Sequence, residues 1–532
     1  MRFFTLSVIL FALLAAICPT ATEAKKKKKP DLIFTDNMQY KANSTFCERR
    51  TIDHEHQLWF SFYPSRLDIE NAPTILWFPD GPGMPGSWDM VGANGPCTHS
   101  HASEELHDNF YSLNTWANIL YVDGPVSSGF SHGEILVTTR QAAAKLMRMF
   151  FVRFADKFPE YFQNQVVAWG VGYGAHLATA FAADMIRKNT LNKMERKEGV
   201  DPDYAFDYKF FPIHKLVLDS PLLDLTTQFK SAIEYSHYNN LSQIIPQNES
   251  EAMLNTFETW YEKRWTNCST YKQWDCKKEL QEFGLLWGNL TNRKDEDGNM
   301  VDPHNILKET RLYENLDENI AAMKNSARYR ILTSKKAEKG LGLRGKGTMR
   351  VEHVNYDVYT RYLHDKFWNL GDSIRSSAED LELVLNAGFG PPEDFTPAVN
   401  TFMFVGEADL LANPLGVRRV IDKMEWPHKK QFDDAKFQRV LYQEQTAMNK
   451  QANTTEHDIG MVRASNNLVV YELKNLGRNT FRMNPPFGVL MTRTMRNNDP
   501  HPTYIVWMDY KHLNEYNVTD RRRASLSTLS WP

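Results

Sequence analysis

The chain has 532 residues, with 62 Lys and Arg against 65 Asp and Glu, a formal net charge of -3 and a pI near 6.6. That balance excludes a nucleic-acid binder driven by phosphate neutralisation, which needs a basic surplus on one face. Hydrophobic residues at 42% with 12% aromatics are enough for a large core and exclude a disordered chain, and five cysteines exclude a disulfide-dense scaffold.

The first segment, Met1 to Cys18, carries one positive charge and then an apolar run of signal-peptide length. It is too short for a membrane anchor, which needs about 20 apolar residues. Residues 1–24 therefore read as a signal peptide, with Ala21 and Ala24 as cleavage positions. The expected location is extracellular, with a lysosome-like lumen as the alternative, and the mature chain contains no later span. Lys25 to Lys29 open a lysine-rich tail over 25–34, read as solvated and not as a polyanion patch. Cys47, Cys97, Cys268 and Cys276 remain after cleavage and allow three connectivities. Cys268 with Cys276, eight residues apart, and Cys47 with Cys97 are the expected pairs. Sequons at Asn43, Asn240, Asn248, Asn267, Asn289, Asn453 and Asn517 are candidate glycosylation sites in a secreted chain.

Runs rich in aromatic and branched residues predict strands at 57–63 and 74–78, and Phe78-Pro-Asp-Gly-Pro-Gly-Met-Pro-Gly-Ser87 predicts a loop. A strand at 118–123, a helix over 139–158, a strand at 165–169, a glycine turn at 170–174 and a helix over 175–188 follow. Residues 215–219 and 401–405 complete the buried strands. Strands alternating with helices predict an α/β architecture around a mostly parallel sheet. Residues 225–395 break the rhythm with largely helical, polar sequence and four of the sequons, as a cap insertion would. Glu251–Arg264 and Cys276–Leu286 are its amphipathic helix candidates. Its stretch 326–350, with eight basic residues to one acidic, reads as an exposed loop open to proteolysis.

The strand, glycine turn and helix at 165–188 form the context in which G-x-S-x-G lifts a serine nucleophile onto a strained turn. Here the turn is Gly170-Val-Gly-Tyr-Gly174, with no serine. The chain resembles the serine carboxypeptidases, the S10 branch of the α/β-hydrolases, and among them most the retinoid-inducible subgroup, in Asp123-Gly-Pro-Val-Ser-Ser-Gly-Phe-Ser131. Thr74 to Gly83 is similar to the family strand that runs into N-G-G-P-G, and Trp169–Ala175 to G-E-S-Y-A-G. Val405 to Asn413 is similar to the segment of the catalytic Asp, and Asn467 to Gly477 to the strand before the catalytic His. The resemblance implies an α/β-hydrolase core in two parts, 35–224 and 396–498, a helical cap over 225–395, and a C-terminal extension over 499–532.

Residue by residue, the same resemblance places Gly172 at the nucleophile, Asp409 at the acid and Arg478 at the general base. Gly81 and Tyr173 match the two oxyanion donors. The substrate-carboxylate positions read Pro79 and Val171, the first glycine of the pair is Asp80, and Met84 stands where the family has a cysteine. Arginine stays protonated and cannot take a proton from a hydroxyl. Loss of triad members leaves roughly 10³–10⁴-fold catalysis over water, negligible for a peptide bond. The expectation is a catalytically inactive member with a binding or regulatory role, for peptides, a small carboxylate or an active paralogue, without metal or cofactor. Two other readings stand beside it: a hydrolase or acyltransferase with an unrecognised nucleophile, and a structural or storage glycoprotein. Arg478 is expected to form an ion pair with Asp409; the sharper alternative makes Arg478 and the oxyanion donors a site for a ligand carboxylate. His176, Asp123 and Asp219 are expected to be structural, and His501 is a poor replacement base.

Overall fold

The structure is a computed structural model that describes residues 34–41, 55–67, 71–92, 94–99, 106–109, 111–125, 128–131, 137, 139–197, 210–270, 276–293, 300–310, 326–334, 371–389, 397–446, 453–483 and 504–508. Eleven strands form one sheet: β1 Phe34–Lys41, β2 Glu55–Tyr63, β3 Thr74–Phe78, β4 Asn118–Val122, β5 Val166–Val171, β6 Lys215–Asp219, β7 Asn400–Gly406, β8 Gln438–Thr446, β9 Asn453–Ser465, β10 Leu468–Leu473 and β11 Tyr504–Met508. Their spatial order is β1-β2-β4-β3-β5-β6-β7-β10-β9-β8-β11. The run from β4 to β10 is parallel throughout. Antiparallel pairs flank it on both sides. This is the α/β-hydrolase fold, a central mostly parallel sheet flanked by helices.

The central strands are apolar on both faces because both faces are covered. All five residues of Thr74-Ile-Leu-Trp-Phe78 are buried, as are all six of β5. Alternate side chains feed two cores. The first helix, α1, is the short Gly86–Met90. Phe60, Leu76 and Ala168 share one core with Phe150, Phe151 and Phe154 of α2 (Arg140–Lys157) and Phe181 of α3 (Tyr173–Lys197). On the other face, Trp77, Tyr121, Trp169, Phe404 and Tyr471 pack with Phe481. Thr139 caps α2 by accepting from the Ala142 N–H at 3.3 Å, so the helix starts where the sequence places it.

Between β6 and β7 the described residues carry α4 (Leu225–Tyr238), α5 (Gln247–Trp260), α6 (Glu262–Thr270), α7 (Lys277–Thr291), a hairpin of Met300–Asp302 with Asn305–Thr310, and α8 (Ala378–Asn386). Further along the chain, α9 (Pro414–Asp422) follows β7, and α4 packs against it, while α8 packs against α3. The single amphipathic helix expected over 251–264 is instead α5 and α6, broken at Tyr261. Cys268 and Cys276 form the expected disulfide, and both are buried. Cys47 lies outside the described residues, so the pairing expected of it does too.

One expectation is overturned in part. The start of the 326–350 stretch is a short helix, Ala327–Leu332, capped by Ser326, with Arg328, Ile331 and Leu332 buried. The Arg328 guanidinium lies over the Trp88 ring, 4.8 Å from its centre, so this basic residue is held by an aromatic face. Residues 335–350 lie outside the described residues, as do Asn43, Asn517 and His501. Asn240, Asn248 and Asn289 are exposed and Asn267 is half-buried. Among the described residues, no helix is long and apolar enough to cross a membrane.

Candidate functional site

The site is built where β3, β5, β7 and β10 end. Between β5 and α3 the chain reverses through Gly172, whose φ of +55° is the left-handed conformation that glycine adopts without a Cβ clash. Its N–H donates to the Asp219 carbonyl at 2.9 Å, and its own carbonyl accepts from Leu222 at 3.1 Å and Ala175 at 3.2 Å. The elbow is therefore fixed by backbone bonds from β6 and α3, and no side chain emerges from it.

Asp80, in the loop after β3, fills the space this leaves. Its Oδ1 accepts from the N–H of Gly81 at 2.9 Å and from the N–H of Tyr173 at 2.8 Å. A Cβ placed on Gly172 would fall 2.2 Å from Asp80 Oδ1, 2.4 Å from Cγ and 2.6 Å from Oδ2. The carboxylate of Asp80 thus stands where a side chain at 172 would be, and both expected oxyanion donors point at one of its oxygens.

Arg478 joins this carboxylate to a second one. Its Nη1 lies 3.5 Å from Asp80 Oδ2, and its Nε lies 3.5 Å from Asp409 Oδ2. The other Asp409 oxygen, Oδ1, accepts from Leu411 and Ala412 N–H at 2.9 Å each. Asp409 is fully buried, the Arg478 side chain is 15% exposed and that of Asp80 is 32% exposed. Burial works against the charge on Arg478, but the fields of Asp80 and Asp409 outweigh it and lift its pKa above the ordinary value. Burial also lifts the Asp409 pKa, against the downward pull of Arg478, His304 and the two N–H donors. Of the pair, Arg478 is the end fixed in charge, since guanidinium does not deprotonate in proteins.

The expected Arg478–Asp409 ion pair is present, and Asp80 extends it to a chain of three. The loop that carries Arg478 is held from two directions. The Asp219 Oδ1 accepts from Thr480 N–H at 3.0 Å and Thr480 Oγ1–H at 2.9 Å, and Ser220 Oγ accepts from Asn479 N–H at 3.0 Å. On the other side, Arg478 N–H donates to the His304 carbonyl at 2.6 Å, and Leu410 N–H to the Pro303 carbonyl at 3.0 Å. The turn at 303–304, in the hairpin between Met300 and Thr310, clips the Asp409 and Arg478 loops together. Asp302-Pro303 marks a turn in the sequence, but no local pattern assigns it this contact.

The remaining candidates sort as structural groups. Pro79 and Val171 are buried and offer no polar side chain. His176 Nδ1 meets Ser377 Oγ at 2.5 Å on the buried side of α3, and burial with the nearby Arg140 holds its pKa well below the ordinary imidazole value. Asp123 accepts from Ser87 N–H at 2.7 Å, Ser87 Oγ–H at 2.9 Å and Phe130 N–H at 2.8 Å, so it ties two loops. Asp219 ties the Arg478 loop to β6 as described.

Comparison with known proteins bears on the family and the fold. The chain is 24% identical over 380 residues to carboxypeptidase S1 of Penicillium janthinellum, covering 70% of this chain and 79% of the relative. It is 22% identical over 424 residues to carboxypeptidase Y of Schizosaccharomyces pombe, covering 78% of this chain but 38% of that protein. Among solved structures it is similar to KEX1(delta)p, a prohormone-processing carboxypeptidase from Saccharomyces cerevisiae. The TM-score there is 0.64 at 16% identity, covering 87% of this chain and 91% of that one. The family described as serine carboxypeptidase matches residues 33–477, ending one residue before Arg478. With most of its length matched and its sheet in α/β-hydrolase order, the chain belongs to the serine carboxypeptidase family.

Proposed function

We propose that this member of the family has lost the carboxypeptidase reaction and serves, outside the cell or in an acidic lumen, as a binding or regulatory module. The observation that carries the reading is the Asp80 carboxylate, seated at side-chain-less Gly172 with both candidate oxyanion N–H groups donating to it. Acyl transfer by this fold needs an elbow nucleophile, a base to deprotonate it and two free donors for the tetrahedral oxyanion. In our reading Gly172 supplies no nucleophile and Arg478 no base, and the donors already hold an anion. Pro79 and Val171 likewise offer no polar grip for a peptide's terminal carboxylate.

The relatives named above carry carboxypeptidase names, which favours the competing reading of an active enzyme with a non-standard site. Incubation of the purified chain with blocked dipeptides, from acidic to neutral pH, separates the two. We expect no release of the C-terminal residue and no labelling by a serine-directed fluorophosphonate. Release that a fluorophosphonate blocks would overturn the proposal.

A further inference from the structure

We propose that Asp80 is a built-in substitute for a ligand, and that the elbow is a carboxylate-binding site held closed by the chain's own side chain. The inference deepens the binding-module reading and rests on it: it names the ligand class and the device that keeps the site occupied.

The donor set has the form that a carboxylate requires. One oxygen receives two backbone N–H bonds of 2.8 and 2.9 Å from separate loops, and the other faces the Arg478 guanidinium at 3.5 Å. Tyr173 N–H opens the 25-residue helix α3, so the helix dipole adds to the attraction for an anion. The space is of carboxylate size, since a Cβ at Gly172 would come within 2.6 Å of all three heavy atoms of the group. Any residue larger than glycine at 172 would abolish it. Among the described residues Arg478 is the one guanidinium between Asp80 and buried Asp409, and burial with Arg478 lowers the pKa of the neighbouring His304 and so disfavours its charged form, which leaves the charge short by one positive unit. An external carboxylate therefore cannot be added beside Asp80 and has to displace it.

Solvent already reaches Asp80: its side chain is 32% exposed, so hydration is at hand to compensate the bonds that displacement would break. Asp409 is different: fully buried and tied to Leu411 and Ala412, it stays as the fixed counter-charge that orients Arg478. The ligand class is a peptide or small molecule that presents a free carboxylate.

Equilibrium binding of N-acetyl-L-phenylalanine, measured by calorimetry at constant ionic strength, tests the proposal, with N-acetyl-L-phenylalaninamide as the uncharged control. Asp80→Ala is expected to bind the acid at least about tenfold more tightly than the wild type and to ignore the amide. Asp80→Asn, whose carbonyl still accepts from both N–H groups, is expected to stay close to the wild type. Arg478→Gln placed on Asp80→Ala should lose the gained affinity. If Asp80→Ala unfolds, Asp80→Gly replaces it. Equal affinity of the opened variants and the wild type for the acid, or equal binding of acid and amide, overturns the proposal. Because the readout is binding and not turnover, it is decided separately from whether the chain hydrolyses peptides.

Discussion

Asp80 Oδ1 and the Tyr173 N–H, 93 residues apart in sequence, are 2.8 Å apart in the fold. This one contact ties the loop after β3 to the first turn of α3 across the point where a nucleophile's side chain would stand. It also fixes what a revertant requires. Gly172→Ser alone places its Cβ 2.2 Å from Asp80 Oδ1 and holds a non-glycine residue at φ +55°, a backbone conformation that costs roughly 1–3 kcal/mol. We expect that variant to melt at a lower temperature than the wild type and to remain unreactive. Adding Arg478→His supplies a base but leaves the donors occupied. The triple variant Asp80→Gly, Gly172→Ser, Arg478→His is the combination expected to take up a fluorophosphonate. Labelling of the double variant as strongly as the triple would show that Asp80 does not obstruct the site.

Among the described residues Arg478 is the one guanidinium between two carboxylates, one of them fully buried. Arg478→Leu therefore strands Asp409 without a counter-ion in an apolar setting, which costs roughly 3–5 kcal/mol when one partner of a buried pair is removed. Urea unfolding of the single and double variants reads this directly. Arg478→Leu should be the least stable, and Arg478→Leu with Asp409→Leu should recover a large part of the loss, because the pair is then removed whole. No recovery in the double variant would mean that Asp409 matters through its bonds to Leu411 and Ala412 alone.

The central strands were legible because burial on both faces writes itself as unbroken apolar sequence. Thr74–Phe78 and Lys215–Asp219 are read with the observed bounds. The glycine turn at 170–174 and its helix were legible for a related reason, since glycines cluster where a strand reverses tightly into a helix. The outer strands were not. Gln438-Arg-Val-Leu-Tyr-Gln-Glu-Gln-Thr446 and the thirteen residues of β9 are dominated by polar side chains, as strands beyond a buried centre tend to be. At the site, the family resemblance located Gly172, Asp409 and Arg478 but not the use of Asp80. Its carboxylate finds its partners through a reach across 93 residues to Tyr173 and nearly 400 to Arg478, and no local pattern encodes such a reach. Arg328 shows the converse limit: a basic composition suggested solvent, whereas its guanidinium lies over the Trp88 ring.

The disulfide predicts a loss confined to the helices between β6 and β7. Cys268 and Cys276 close a short loop, with a sequence separation of 8, and both lie in the core beside Trp265 and Leu280. On the chain-entropy account, opening a loop of that length costs about 2–3 kcal/mol. Cys268→Ala with Cys276→Ala should lower the urea midpoint accordingly and make it independent of added reductant, whereas the wild-type midpoint should fall when reductant is added. A wild-type midpoint that ignores reductant under conditions where the bond is shown to be broken would exclude this role.

Asp123 supplies a test in pH. It sits fully buried at the end of β4, and burial raises its pKa from 3.8 to about 7 in spite of the bonds from Phe130 and Ser87. Between those values the folded chain holds a proton that the unfolded chain has released, so stability falls as pH rises through the window. Asp219, raised by burial to about 6, acts in the same direction over a lower range. His176 acts in the opposite one. Its depressed pKa means that the unfolded chain binds the extra proton below the ordinary imidazole value of 6.5, so its contribution to stability is lost as pH falls. Above about pH 6.5 the opposing effect of His176 is exhausted, while the contribution of Asp123 still declines toward its folded value of about 7. Melting curves of the wild type and Asp123→Asn between about pH 5 and about pH 8 should differ in slope, whatever their offset, with the wild type declining more steeply toward neutrality. Parallel curves would place the titration of Asp123 outside this range. A steeper wild-type decline would show that the Ser87 and Phe130 loops are held most firmly in an acidic compartment, where a carboxyl group can stay buried and neutral.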